Sequence, residues 1–329
     1  MRMKLLPQLT APPCGDAGIF ADVLGEGRGL LFDLGHQPRL ATRLLRRTTH
    51  IFISHTHLDH FVGMAHFVRT SITRTDPIDL YGPPGFLKNV RGLFSAFTWN
   101  VSEDYPLVIH AHEFDGTWLR SGTFSARRRF RMTEGRKRKT GPVLLEDESL
   151  VVRVAILDHG TPVAAYRVDE KRHININKDA LKRLGYPPGE WITALKRAVV
   201  EEKPGSTTIE TPLGARRLKK LRDDLIILTE GQSVGYLVDF FNSRENLQKA
   251  VRLFKGVHLL YIEASFEAAE AKRARERNHL TSAQAGALAR RVKAKRVIPL
   301  HLSPKYLGRE GQIFAEVQAA FLGSGDRKQ

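Results

Sequence analysis

Cysteine is nearly missing from this chain: Cys14 is the only one in 329 residues. That excludes an internal disulfide and a thiolate zinc site, so any metal must be held by His, Asp or Glu. Long apolar runs are missing too. None approaches the ~20 residues that a membrane-crossing helix needs. The opening residues Met1-Arg2-Met3-Lys4-Leu5-Leu6-Pro7 hold no apolar stretch of signal-peptide length. The expected location is the cytoplasm, with no membrane partner. No repeat of solenoid period is present. Acidic residues are scarce beside basic ones, 35 against 52, which leaves a net charge of +17. Such a field draws polyanions, and nucleic acid is the commonest of them. A solubility role or a compositional bias toward Arg accounts for the charge equally well. The length permits a large buried core in one domain or two.

Histidine, by contrast, is concentrated. Ile51-Phe52-Ile53 reads as a buried strand that stops at Ser54, and His55-Thr56-His57-Leu58-Asp59-His60 follows at once. In extended chain His55 and His57 point to one side. Asp59 and His60 open a helical pattern marked by Phe61, Met64, Ala65 and Val68. One pair of ligands thus leaves a strand end and the other sits at a helix start, a spacing that serves two adjacent metal ions. Imidazole and carboxylate donors suit zinc. Mn²⁺ or Fe²⁺ would accept similar ligands.

Residues 19–24 and 30–34 read as paired strands around a glycine-rich turn, and Leu40, Leu44 and Leu45 as a short amphipathic helix. Ile78 to Tyr81 reads as a strand, and Gly82-Pro83-Pro84-Gly85 starts a helix through Val90 and Phe94. From Leu107 to Val154 the pattern is β. Within it, Ala126-Arg127-Arg128-Arg129-Phe130-Arg131 and Arg136-Lys137-Arg138-Lys139 are densely basic. Like charge resists compact folding, so 132–141 is expected to be a mobile loop. The stretch 127–139 is either a polyanion contact or a solvated hairpin tip.

Residues 170–222 change character, with many basic residues and the turn cluster Gly185-Tyr186-Pro187-Pro188-Gly189. They read as an insert rather than a second domain, inside a single 1–329 domain. Strands 225–229 and 233–239 are expected to resume the body. Helices over 243–254, 266–276 and 282–292 then alternate with strands 258–262 and 296–300, so helices should cover sheets.

An acidic or imidazole residue repeatedly stands just past an apolar strand: His55, His159, Asp239, Glu263 and His301. Tips of neighbouring strands share a sheet edge and converge on one site. The inferred division places His55, His57 and His159 on one metal and Asp59, His60 and His301 on the other, bridged by Asp239. Two metals about 3.5–4 Å apart lower the pKa of a bridging water and clamp both oxygens of a phosphodiester displacement. Asp59 is close enough to handle the proton of that water. His50, His66, His173 and His258 read as ordinary surface or core residues. His110 and His112 read the same way, although they alternate on one strand face. The role of His36, near a strand end, stays open.

These residues resemble the metallo-β-lactamase superfamily, and within it the ribonuclease Z branch. The closer marks are Leu157-Asp158-His159-Gly160-Thr161-Pro162, Glu263-Ala264-Ser265-Phe266, His279-Leu280-Thr281-Ser282 and His301-Leu302-Ser303-Pro304-Lys305-Tyr306. The resemblance implies an α/β fold, an αββα sandwich with an inserted basic arm. It implies a zinc-dependent endoribonuclease that cleaves precursor tRNA at its 3′ side, with two Zn²⁺ per subunit. Glu263 and His279 would act together near the leaving 3′-oxygen. The arm, with Lys182, Arg183, Lys196 and Arg197, would grip the tRNA across a homodimer. Departures stand at Gly35-His36-Gln37-Pro38, Val238-Asp239-Phe240 and Arg197-Ala198. They leave a metallo-phosphodiesterase of small or cyclic diesters as the alternative.

Overall fold

The computed structural model describes residues 4–171 and 173–323; Met1 to Met3 and Arg172 lie outside them. The chain forms two compact units, one of residues 1–169 with 232–329 and one of residues 170–231.

The first unit opens with an eight-stranded sheet whose spatial order follows the chain. Its strands are β1 (Leu5–Leu9), β2 (Ile19–Val23), β3 (Arg28–Phe32), β4 (Thr48–Phe52), β5 (Ile78–Gly82), β6 (Val108–Phe114), β7 (Trp118–Ser125) and β8 (Thr133–Lys139). The stretch from β3 to β6 runs parallel, which requires crossovers. Helices α1 (Thr42–Arg47), α2 (Leu58–Phe61), α3 (Met64–Ser71) and α4 (Phe86–Ser95) lie within these connections. Met64, Phe67, Val68 and Ser71 are the buried residues of α3, the i, i+3, i+4, i+7 stripe of an amphipathic helix. Met64, Phe67 and Val68 pack with Ile51, Ile53, Leu80 and Ile109 on the outer face of the sheet.

Strands β9 (Val143–Glu146), β10 (Leu150–Asp158) and β11 (Pro162–Glu170) begin a second sheet. The chain then enters the 170–231 unit, which contains β12 (His173–Ile176), α5 (Lys178–Arg183), α6 (Trp191–Val200), β13 (Thr208–Ile209), β14 (Arg216–Arg217), α7 (Leu218–Leu225) and β15 (Ile226–Thr229). This unit has its own core of Leu181, Tyr186, Trp191, Leu195, Leu218, Leu221 and Leu225. It extends to Gly231, past residue 222, which falls inside α7. β15, expected in the main body, instead pairs with β12, because Ile226↔Ile176 and Leu228↔Ile174 stand in antiparallel register.

The second sheet is completed by β16 (Ser233–Leu237), β17 (Leu259–Glu263) and β18 (Arg296–Leu300), in the order β18-β17-β16-β11-β10-β9. Helices α8 (Arg244–Phe254), α9 (Ala271–Glu276), α10 (Ser282–Arg291) and α11 (Glu310–Leu322) accompany it. Ala250, Phe254, Leu288, Ile313 and Val317, from α8, α10 and α11, cover its outer face. The two sheets face each other across Phe32, Phe52 and Tyr81 on one side and Tyr166, Tyr236 and Tyr261 on the other. Phe32, Phe52 and Tyr81 stack at 5.1 and 5.0 Å between centroids, a favourable aromatic spacing. The result is an αββα sandwich. No described helix is long and apolar enough to cross a membrane.

Two further expectations are corrected. The basic stretch 132–141 is not a loop: β8 pairs antiparallel with β7. Alternation throws successive charges to opposite faces, and all seven β8 residues are exposed, so the like charges stay solvated. The helix expected over 266–276 shrinks to a 3-10 turn at Ala268–Glu270 and the six residues of α9. Phe266 is held out of it by a parallel bridge to Thr281.

Candidate metal centre

Both sheets end at one place. β4 runs out through Ile53 and Ser54 into His55, β10 into His159, β16 into Asp239 and β18 into His301. One ligand atom from each of His55, His57, His159 and Asp239 lies within 4.8 Å of the others. So do those of Asp59, His60 and His301, and those of Asp239, Glu263, His279 and His301. The structure therefore brings together all nine metal-capable and catalytic candidates. Asp239 stands in the middle: its Oδ2 is 3.2 Å from His60 Nε2 and 3.6 Å from His55 Nε2, and its Oδ1 is 2.8 Å from His301 Nδ1. His57 and Asp59 form the more open rim, with 45% of the Asp59 side chain exposed.

Backbone conformation aims these groups. Asp33, Asp239, Asn278 and His301 all have φ between 49 and 63°. Left-handed backbone is uncommon outside glycine and clusters where a site over-determines it. Gly35 and Gly63 let the β3 end and the α2 turn touch. A Cβ on Gly35 would collide with the Asp59 carbonyl oxygen, and one on Gly63 with that of Gly35.

A residue absent from the sequence reading organises the imidazoles. Asp33 is wholly buried. Its Oδ2 lies 2.8 Å from His60 Nδ1 and accepts from Ser54 Oγ and Tyr236 Oη, both at 2.7 Å; its Oδ1 accepts from Ser54 N–H at 2.6 Å. Ser54 Oγ in turn lies 3.1 Å from His55 Nδ1. His159 Nδ1 lies 2.9 Å from the Asn278 carbonyl, to which its N–H donates. Each contact occupies Nδ1 and leaves Nε2 toward the cluster, the arrangement that orients metal-ligating histidine. Asp33 follows the apolar run Leu30-Leu31-Phe32, the same strand-end pattern that marks Asp239.

Four buried polar atoms here have no hydrogen-bond partner: His55 Nε2, His60 Nε2, Asp239 Oδ1 and His301 Nδ1. The 2.8 Å between the last two is close but misaligned for a hydrogen bond. Buried polar atoms are as a rule paired, and four orphans gathered at one point fit a bound cation. The electrostatics agree. Burial pushes His55 down to about 2, with His60 adding to the effect. Burial also opposes the charging of His301, yet Asp239 lifts it to about 10. His60 is likewise held well above its usual range, against burial, by Asp239 and Asp33.

Glu263 is fully buried at the end of β17. It accepts from Phe240 N–H at 3.0 Å, Ser265 Oγ at 3.0 Å and Leu280 N–H at 3.3 Å, and lies 2.8 Å from His279 Nδ1. The last of these contacts fixes the orientation of the His279 ring. Burial lowers the His279 pKa, but the Glu263 charge and hydrogen bond outweigh it and raise it overall. A capping box between Thr281 and Gln284 fixes the chain just beyond, at the start of α10. A cavity of about 250 Å³ beside His279 and His301 is lined by Phe266, Arg273 and Arg277.

Other histidines whose side chains are described stay apart, as three of them show. His36 is exposed and uses its backbone N–H on Asp16 Oδ2 at 2.6 Å. His110 lies 3.1 Å from Thr123 Oγ1, and His112 lies 2.8 Å from Ser121 Oγ and 2.9 Å from Asp79.

No family model matches the chain. A curated relative, "Ribonuclease Z" of Deinococcus radiodurans, is 32% identical over 286 residues, covering 86% of this chain and 84% of the relative. Among solved structures, human tRNase Z, short form, superposes with TM-score 0.53 at 20% identity over 91% of this chain and 90% of its own. The metallo-beta-lactamase fold protein YhfI of Bacillus subtilis gives TM-score 0.53 at 12% identity over 96% and 93%.

Proposed function

The chain belongs to the ribonuclease Z family, and on that premise we propose that it is a metal-dependent endoribonuclease that cleaves precursor tRNA at its 3′ side. The observation that carries the chemistry is the set of four buried, unpartnered atoms on His55, His60, Asp239 and His301. His55, His57 and His159 would hold one ion, Asp59, His60 and His301 a second, and Asp239 both. Two divalent ions, zinc or otherwise Mn²⁺ or Fe²⁺, supply Lewis acidity and make water nucleophilic near neutral pH.

The chain's own residues do the rest. Asp59, at the open rim, orients the attacking water and takes its proton. Attack breaks the bond between phosphorus and the 3′-oxygen. His279, with Nδ1 tied to Glu263, donates from Nε2 to that leaving oxygen. The Glu263 charge raises its pKa, which favours the acid form that the task needs. The 170–231 unit is the proposed tRNA grip, through exposed Lys182, Arg183 and Arg197 and half-buried Lys196. A homodimer and a cytoplasmic location complete the reading.

The test is to map the 3′ ends produced from a precursor tRNA by metal-loaded protein at low salt, beside a small chromogenic diester. Cleavage at one position at the 3′ side of the acceptor stem is expected. Hydrolysis of the diester with an intact precursor would replace this reading with a small-substrate phosphodiesterase.

A further inference from the structure

The first sheet carries a concentration of charge that the proposed reaction leaves unused. β8 is its edge strand, paired only with β7, and every one of its residues is exposed. Arg136, Lys137, Arg138 and Lys139 follow one another there, and the ion pairs of this region among the described residues, those of Arg120, Arg129 and Arg153, involve none of them. Lys137 Nζ lies 4.6 Å from the centroid of the Trp118 ring, which steadies it without neutralising it.

Register places these charges relative to the metal centre. Phe52 of β4 is level with Tyr81 of β5, and the next residue, Gly82, pairs with Glu113 of β6. Glu113 pairs with Arg120 of β7, and Arg120 with Lys137. Arg138 and Lys139 pair with Leu119 and Trp118. Lys137, Arg138 and Lys139 therefore stand at the height of Ile53, Ser54 and His55, at the same end of the sheet as the metal centre. Four strand spacings separate them from it, about 19 Å measured along the sheet. The neighbouring cations Arg127, Arg128 and Arg131 lie in the turn after Ser125, at the opposite end.

We propose that the site end of β8 is a docking strip for the phosphodiester backbone of the RNA substrate; this rests on the endoribonuclease reading above. Unpaired Lys and Arg side chains meet phosphates, and the free edge offers backbone N–H groups to phosphate oxygens. The strip fixes where the RNA lies without reading its sequence. Charge on an edge strand also prevents strand pairing between copies, and the test separates that role.

Two triple variants each remove three charges: Lys137→Gln, Arg138→Gln and Lys139→Gln at the site end, and Arg127→Gln, Arg128→Gln and Arg131→Gln in the turn. KM and kcat for precursor tRNA are measured between about 50 and 200 mM salt, with turnover of a small diester and circular dichroism as checks on folding. The site-end triple should raise KM roughly tenfold and flatten the salt slope by about two to three, with diester turnover kept. The turn triple should change neither. Equal KM shifts in both triples would mean a general field and overturn the strip. Self-association of the site-end triple with unchanged KM would reduce it to edge protection. Wild type that hydrolyses the diester but leaves the precursor intact would instead remove the endoribonuclease reading, and the strip with it.

Discussion

Asp33 meets four donors with two oxygens: Ser54 N–H, Ser54 Oγ, His60 Nδ1 and Tyr236 Oη. Asp33→Asn keeps the shape but turns an NH₂ group toward one set of these donors, in a site with no water-facing escape. Metal affinity should fall about 10–100-fold, read as ion content after dialysis against a competing chelator, with the circular dichroism spectrum retained. Unchanged affinity would reduce Asp33 to a core residue. The Glu263 and His279 pair gives a pH prediction. Glu263 raises the His279 pKa, so the acid form survives to higher pH. In Glu263→Gln that support is gone, and His279 loses its proton earlier. The alkaline limb of the kcat profile should move to lower pH; a limb that stays in place would detach His279 from proton donation. At this scale the sequence was informative wherever a polar residue ends an apolar strand. Asp239, Glu263 and His301 show that signal. Asp33 shows it too, just past Leu30-Leu31-Phe32, but Leu34 follows it at once and no motif surrounds it, so nothing local sets it apart. The Asn278 carbonyl that orients His159 has no sequence signal, since any residue supplies a carbonyl.

Elements with short-range signals were legible. α3 has its 3.6-residue stripe, β4 its apolar run, and α8 and α10 begin at Ser243 and Thr281, residues whose side chains accept from the first turn. The misread elements are those fixed by distant partners. β8 is polar throughout and owes its conformation to hydrogen bonds with β7. β15 has the composition of a body strand, and only its register with β12 assigns it to the insert. α11 was not anticipated at all. Its buried residues are only Ile313 and Val317, because one side of it faces water and the other lies on α10. Charge density was the wrong argument at 132–141: an edge strand solvates its side chains on both faces, so repulsion has no need to open it into a loop.

Taken whole, the molecule separates chemistry from the proposed tRNA grip. The 170–231 unit has its own core, and a Cβ on Gly231 would meet the Glu170 carbonyl, so the two ends of the insert lie side by side. Replacing residues 171–230 by a short glycine-rich link should leave diester hydrolysis intact and lower kcat/KM for precursor tRNA by an order of magnitude or more. Equal activity on precursor tRNA with and without the insert would take the grip away from it. The proposed ligands come from both sheets and from chain positions as far apart as His55 and His301, which has a consequence for biosynthesis. A ribosome delivers them in order. A nascent chain that has completed the first sheet owns His55, His57, Asp59 and His60 but lacks Asp239, the carboxylate at the middle of the cluster. The last ligand, His301, arrives only after β18. A copy that stops short of His301 therefore lacks one of the proposed ligands, and the site is assembled only when synthesis is nearly finished.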